Sequence, residues 1–154
     1  MNYPEIASLI PHAAPMVLLD RVLEVGAETL TAEVNITPAS MFFDGSGVGA
    51  WVGIEYMAQA IAAFAGYAAL EDGGSVKVGF LLGSRRYECH CASFQNGSVL
   101  QVQVQRVLQS ENGLGAFDCR ITRAHTGMLL ATATVTVFQP ENAEQFLQNN
   151  QGEG

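Results

Sequence analysis

Residues 45–70 have the sequence GSGVGAWVGIEYMAQAIAAFAGYAAL and contain one charged side chain, Glu55. A run this long and apolar has the length of a helix that crosses a bilayer. Its flanks and interior argue against a span, because acidic residues border both ends and Glu55 and Gln59 are costly groups in lipid. The remaining interpretation is a helix that is apolar on nearly every side and therefore buried on nearly every side. Its many alanines allow a sheet to approach closely.

The rest of the sequence is typical of strands. Residues 16–25 form an apolar run, and residues 30–36 alternate between apolar and polar side chains. Gly73-Gly74 breaks the chain after the helix, and Asn112-Gly113 is a hairpin signal. Further extended stretches follow at 76–82, 100–105, 117–122 and 129–137. We predict two strands, one long buried helix and about four antiparallel strands in a meander, which is an α+β fold.

The length of 154 residues suits one domain, and no repeat or linker divides it. We predict a single domain over residues 1–154, with its core at about 10–138 and a polar tail at 140–154. A sheet that curls over one helix leaves strand edges open. Pairing with a second chain covers such edges, so we expect a homodimer or a heterodimer with a related protein.

Composition narrows the class of protein. Apolar residues make up 49% and charged residues 14%, which excludes extended disorder. The net charge is −8 and the seven cations are scattered, so binding to nucleic acid or a membrane surface is not expected. From the N-terminal residues we expect no secretory signal, and three cysteines are typical of free thiols in the cytoplasm.

A metal site is not expected at Cys89-His90-Cys91. On a strand, the two cysteines share one face and His90 points to the other. A closed zinc site needs four ligands that converge. We therefore interpret the cysteines as ordinary core thiols.

Two segments carry a family resemblance. Residues 10–22, with Pro11-His12 and Asp20-Arg21, and residues 42–60, with Phe42-Phe43-Asp44-Gly45 and Glu55-x-x-x-Gln59, resemble the 3-hydroxyacyl-acyl-carrier-protein dehydratases of the hotdog fold. The resemblance covers about residues 10–138 and is strongest to the dehydratase-like proteins of aryl-polyene and similar pathways. It implies an antiparallel sheet wrapped around one central helix, in a dimer.

The resemblance also implies a mechanism. The family's substrate is a 3-hydroxyacyl thioester on the phosphopantetheine of acyl carrier protein, and no other cofactor is expected. Its catalytic pair is a loop histidine, which takes the α-proton, and a helix carboxylic acid, which handles the leaving hydroxyl. The two residues come from different subunits. Glu55 matches the acid, and the helix N-terminus polarises the thioester carbonyl.

The chain departs from the family at the histidine. Ser46 stands in its place, the loop before Glu55 is shorter than usual, and a serine hydroxyl is too weak a base to replace imidazole unaided. We expect Ser46 to be a loop residue or a helix N-cap. His90 and His12 are the candidate replacement bases. Gln59, one turn after Glu55, is expected to support the carboxylate by a hydrogen bond, which would also suit a purely structural glutamate.

Further candidates concern the substrate. With Gln59 and Ser46, we place Gly49, Arg85 and Arg86 in the substrate-binding region. The adjacent arginines suit an acidic carrier protein or its phosphopantetheine phosphate, and equally suit two solvated strand-end residues.

Several functions remain open from the sequence. The chain is a dehydratase that uses a replacement base, or the partner subunit of a histidine-bearing dehydratase. It could also be a thioesterase in which Glu55 alone activates water, or an acyl-binding module without catalysis.

Overall fold

The structure, a computed structural model, describes residues 2–11, 16–73 and 80–138. One helix, α1 (Gly53–Glu71), packs against an antiparallel sheet whose strands lie in the order β1-β2-β6-β7-β8-β4. A second sheet pairs β3 with β5. The strands are β1 (Arg21–Val25), β2 (Thr29–Asn35), β3 (Gly47–Gly49), β4 (Phe80–Cys89), β5 (Ser93–Gln95), β6 (Val99–Gln109), β7 (Leu114–Arg123) and β8 (Leu129–Phe138). The predicted α+β fold, with a sheet around one helix, is confirmed.

The predicted meander is only partly correct. Strands β6, β7 and β8 do follow one another, with the predicted Asn112-Gly113 turn between the first two. Strand β4, however, pairs with β8 at the far edge. The edge of β6 is taken by β2, which pairs with it from Thr29↔Gln105 to Asn35↔Val99. Between β4 and β6 the chain also leaves the main sheet, because β5 pairs with β3.

The first predicted strand begins later than the apolar run suggests. Strand β1 starts at Arg21 instead of Met16. The backbone carbonyl of Met16 and the N–H of Leu18 bond to the side chain of Gln59, so this segment does not join the sheet ladder there. Of the predicted stretch 76–82, residues 76–79 lie outside the described residues.

The apolar run 45–70 is not all helix. Residues 47–49 form β3, and Ala50–Val52 form a 3₁₀ turn that leads into α1. Strand β3 approaches β5 so closely that a methyl group on Gly47 would lie 2.3 Å from the carbonyl oxygen of Phe94. Gly47 therefore serves a tight strand pairing and not a helix.

The two sides of α1 differ in burial. On the sheet-facing side, Met57, Ala60 and Ala63 are fully buried against the strands. Burial on nearly every side was predicted, and within this chain that prediction is wrong. A line of residues spaced three or four apart shares one face and is only half-buried. This outward stripe consists of Ile54, Ala58, Ala62, Ala65 and Ala69.

The N-terminal segment closes the core beside the second half of α1. Leu9 is fully buried, and its backbone touches the helix at Gly66. A methyl group at position 66 would lie 1.9 Å from the Leu9 carbonyl oxygen, so the contact requires glycine. Among the described residues, no helix combines the length and apolarity needed to cross a bilayer.

Candidate active site

Glu55 lies in the first turn of α1. Its side chain therefore lies near the helix N-terminus, where the first backbone N–H groups have no partner within the helix. Glu55 is half-buried and borders the outward stripe, since it follows Ile54 in the helix and precedes Ala58 by one turn. The carboxylate thus flanks the part of α1 that the chain's own sheet leaves incompletely covered.

Gln59 holds this carboxylate in place. Its side chain is fully buried, and its Nε2 donates to Oε1 of Glu55 at 3.2 Å, the hydrogen bond that the spacing predicts. The same nitrogen donates to the carbonyl of Met16 at 2.7 Å, and Oε1 of Gln59 accepts from the N–H of Leu18 at 2.9 Å. One amide thereby joins the N-terminal segment, the helix and the candidate acid.

Ser46 lies in the loop that precedes β3 and not at the start of α1. Of the two alternatives predicted for Ser46, the loop residue is confirmed and the N-cap is wrong, since α1 begins seven residues later and its N-cap residue is Val52. The loop is instead organised by Asp44, whose Oδ1 accepts from the Ser46 N–H at 3.0 Å, from Ser46 Oγ at 3.1 Å and from the Gly47 N–H at 3.0 Å. These hydrogen bonds, led by the Ser46 N–H, hold the pKa of Asp44 below its usual value.

Gly49 lies against an exposed aromatic pair. A methyl group on Gly49 would lie 2.4 Å from Nε1 of Trp51, so the indole packs directly on this backbone. Trp51 is 65% exposed and meets Phe42 edge-to-face at 5.2 Å between ring centroids. The contacts that the structure gives Gly49 are thus with the chain itself, and its predicted role with substrate stays a prediction.

The two candidate bases are placed differently. His12 lies outside the described residues. His90 is exposed just after β4, where its backbone N–H donates to the carbonyl of Leu130 at 2.8 Å. Within the described ranges, no hydrogen bond or ion pair joins His90 to Glu55.

Arg85 and Arg86 lie in β4, and the side chain of Arg85 is outside the described part. The side chain of Arg86 is 78% exposed, with Nε 3.6 Å from Oε1 of Glu88. Such an exposed pair contributes little to stability. Arg86 is therefore available at the surface of an edge strand.

Tyr87 binds the 3₁₀ turn that precedes α1, and the sequence analysis did not identify it as a candidate residue. Its hydroxyl donates to the carbonyl of Ala50 in the 3₁₀ turn, and Sγ of Cys89 lies 3.8 Å from the same oxygen. Burial, followed by the hydrogen bond to Cys89, raises the pKa of Tyr87 above its usual value. The alternation of β4 places residues 87 and 89 on one face, which was the available signal. Their common target, Ala50, is 37 and 39 residues away in sequence.

The three cysteines are free thiols, but only Cys119 is buried, so the interpretation as core thiols is wrong for the exposed Cys89 and the half-buried Cys91. Across residues 2–11, 16–73 and 80–138, no three His, Cys, Asp or Glu side chains come together as a metal site.

Comparison with curated proteins finds dehydratases. The 3-hydroxyacyl-[acyl-carrier-protein] dehydratase FabZ of Pseudothermotoga lettingae is 29% identical over 145 residues, which cover 92% of this chain and 99% of that protein. FabZ of Streptococcus pneumoniae is 49% identical over 45 residues, which are 29% of this chain and only 32% of that protein.

Comparison with solved structures gives the same picture. The dehydratase heterocomplex ApeI:P from Xenorhabdus doucetiae matches with a TM-score of 0.85 and 32% identity, over 97% of this chain and 99% of that chain. A hypothetical thioesterase protein with coenzyme A from Streptococcus pneumoniae TIGR4 matches with a TM-score of 0.60 at 16% identity, over 77% and 84% of the two chains, which shows the shared fold alone.

A family model described as ApeP-like, ApeP dehydratase, matches residues 4–148. The match spans nearly the whole chain, including the loop at Ser46 and the helix with Glu55. This chain therefore belongs to the ApeP-like dehydratase family and is related to the hotdog-fold 3-hydroxyacyl-[acyl-carrier-protein] dehydratases.

Proposed function

We propose that this chain is the acid-bearing subunit of a 3-hydroxyacyl-acyl-carrier-protein dehydratase, with Glu55 as the acid and a histidine supplied by a related partner chain. The observation that carries the proposal is the position of Glu55 beside the outward stripe, combined with a serine where the loop histidine is expected. A carboxylate at an uncovered helix face suits a site completed by a second chain. The similarity to a dehydratase heterocomplex at 32% identity supports this arrangement.

In this proposal Glu55 protonates the β-hydroxyl as it leaves as water, while the partner's imidazole removes the α-proton. The hydrogen bond from Gln59 to Oε1 fixes the direction of the carboxyl group. The N-terminal end of α1 stabilises the negative charge that develops on the thioester oxygen. The substrate arrives on the phosphopantetheine of acyl carrier protein, and no further cofactor takes part.

The surface beside Glu55 supports a partner of the same fold. Four of the five residues of the outward stripe are alanines, so another helix can approach α1 closely after Ile54. Strand β4 forms one edge of the main sheet, with β8 on its other side. An edge strand offers unpaired backbone groups to a second chain. A related hotdog subunit covers both features at once.

A hybrid complex tests the proposal most directly. The partner is a histidine-bearing dehydratase in which its own helix carboxylate is changed to the amide, so that the only complete site combines its histidine with Glu55. Intact-mass analysis of 3-hydroxyacyl-carrier protein follows the loss of one water. We expect dehydration by the mixture and none by either chain alone.

Glu55→Gln in the same complex should slow dehydration by about 100-fold or more, the usual contribution of a general acid. Glu111→Gln is the matched control, because Glu111 is exposed in the β6–β7 turn, and it should leave the rate unchanged. An unaffected rate with Glu55→Gln contradicts the proposal. Water loss by the chain alone would instead favour a base within this chain, which His90→Ala then tests, and release of the whole acyl group would favour a thioesterase.

We also propose that Arg85 and Arg86 contact the acidic carrier protein. The exposed guanidinium of Arg86 and its long ion pair leave this group accessible. Reversing both charges with Arg85→Glu and Arg86→Glu should weaken carrier-protein binding, measured by calorimetry. Arg21→Glu together with Arg106→Glu, in strands away from β4, is the control, because it changes the net charge by the same amount. Equal binding by the double variant and the control would overturn the docking surface.

A further inference from the structure

A cavity lies on a different side of α1 from Glu55. It has a volume of about 460 Å³ and lies between residues 17–20, the end of β2, loop 37–43 and Tyr56. Tyr56 directly follows Glu55 in the helix, and successive helical residues point about 100° apart. Glu55 does not line this cavity. The cavity is thus separate from the proposed acid.

Tyr56 brings a buried hydroxyl group to the cavity. The residue is 2% exposed, and its ring packs near Phe94 at 5.9 Å between centroids. No hydrogen bond joins its hydroxyl to another residue anywhere in the described ranges, although buried hydroxyl groups in proteins normally have a partner. Burial and the nearby Asp20 raise the pKa of Tyr56 to about 12, so the group keeps its proton.

Asp20 gives the same cavity a carboxyl group. Its Oδ2 accepts from the N–H of Asn35 at 2.6 Å, which holds the side chain against β2. The rest of the wall is mixed: Val17, Val34 and Phe43 are apolar, while Asn35, Thr37 and Ser40 are polar. A carboxylate in a chain of net charge −8 disfavours an anionic ligand and favours one that donates a hydrogen bond.

The mouth of the cavity contains a strained residue. Phe42 has a φ of 69°, is 43% exposed and lines the cavity. A bulky side chain in the left-handed region costs energy, and such residues cluster at ligand sites. Its ring meets the exposed Trp51, so an aromatic pair flanks the opening.

We infer that this cavity binds a neutral hydroxyl group carried on a compact apolar body, such as an aryl alcohol. The ligand hydroxyl accepts a hydrogen bond from Tyr56 and donates one to Asp20, while the apolar body packs on Val17, Val34 and Phe43. The binding involves no turnover and no carrier protein, so its test is independent of the proposed dehydratase activity.

The test is a ¹H–¹⁵N NMR titration of the full chain with 3-phenylpropan-1-ol. We expect saturable shifts at Val17, Val34, Phe43 and Tyr56. The methyl ether of this alcohol cannot donate a hydrogen bond, and 3-phenylpropanoate is an anion, so both should bind more weakly by about fivefold. Absence of saturable shifts, or equal affinity for all three probes, overturns the inference.

Two tyrosine variants complete the test. Tyr56→Phe should weaken binding of the alcohol by about fivefold and leave the Tm of the free chain equal or higher, because it removes a hydroxyl without a protein partner. Tyr87→Phe is the matched control and should lower the Tm, because its hydroxyl bonds to Ala50. Unchanged alcohol binding by Tyr56→Phe, or a Tm lowered as in Tyr87→Phe, would overturn the inference.

Discussion

The two sides of α1 serve different purposes although they belong to one helix. The sheet-facing side, with Met57, Ala60 and Ala63, is fully buried and apolar. The other side carries Glu55, held by Gln59, next to the half-buried outward stripe. The first arrangement is that of a completed core. The second is the face to which the proposed function assigns the acid and the contact with a partner subunit.

The largest expected effect on the free energy of unfolding comes from Gln59, where the two sides of α1 meet. Gln59→Leu keeps the side-chain size but removes three hydrogen bonds and leaves the Met16 carbonyl and the Leu18 N–H without their partner. We expect a loss of about 2–4 kcal/mol in the free energy of unfolding, measured with urea. Gln103→Leu, on the exposed face of β6, is the control and should change it by less than about 0.5 kcal/mol. Equal stability of the two variants would contradict the role of the Gln59 amide.

A pair of neighbouring alanines tests the contrast itself. Ala63→Leu places extra volume in a fully buried position and should destabilise the free chain by about 1–3 kcal/mol. Ala62→Leu makes the same change on the outward stripe and should alter the free chain by less than about 0.5 kcal/mol. In the proposed complex, ultracentrifugation should show weaker association for Ala62→Leu. Equal destabilisation of the free chain by both variants would show that the two sides are packed alike.

The smallest expected effect is a local loss of stability at low pH, in the loop that Asp44 organises. The pKa of Asp44 is lowered in the folded chain, so its contribution is fully present above the ordinary value of 3.8 and is lost as pH falls through the lower folded value. Below pH 3.8 the amides of Ser46 and Gly47 should therefore exchange faster with solvent, after allowance for the intrinsic pH dependence, while those of Met57 and Ala60 stay protected. Hydrogen exchange measures this, with Asp44→Asn as control. If Met57 lost protection before Ser46 and Gly47, acid would act first on the core and the prediction would be wrong.

Local pattern predicted the elements of this fold better than their arrangement. The alternation at 100–105 and 117–122 correctly indicated strands, because one face of each is buried. The pairing of β4 with β8 and of β3 with β5 was not predicted, because it joins segments far apart in sequence. Gly47 and Gly49 belong to the apolar run that was interpreted as a helix, but in the structure they pair with β5.

In the candidate site, too, contacts within one element were predicted better than contacts between distant segments. The hydrogen bond from Gln59 to Glu55 follows from a spacing of four residues on a helix and was predicted. The bond from Tyr87 to Ala50 and the buried hydroxyl of Tyr56 depend on which strands cover the helix, so the sequence offered little sign of them. The catalytic roles of His12 and His90 stay predictions.

The strand order sets the sequence of events when the chain is synthesised. Helix α1 leaves the ribosome before β6, β7 and β8, the strands that cover much of its buried side. Translation proceeds at about 5–20 residues per second, so the apolar side of the helix waits several seconds for its sheet. Strand β2 waits longest for a second neighbour, because it ends at Asn35 and its partner β6 begins only at Val99. The nascent chain therefore exposes apolar surface for a period during synthesis. We expect chaperones, or early binding of a second subunit, to protect the chain most during that period.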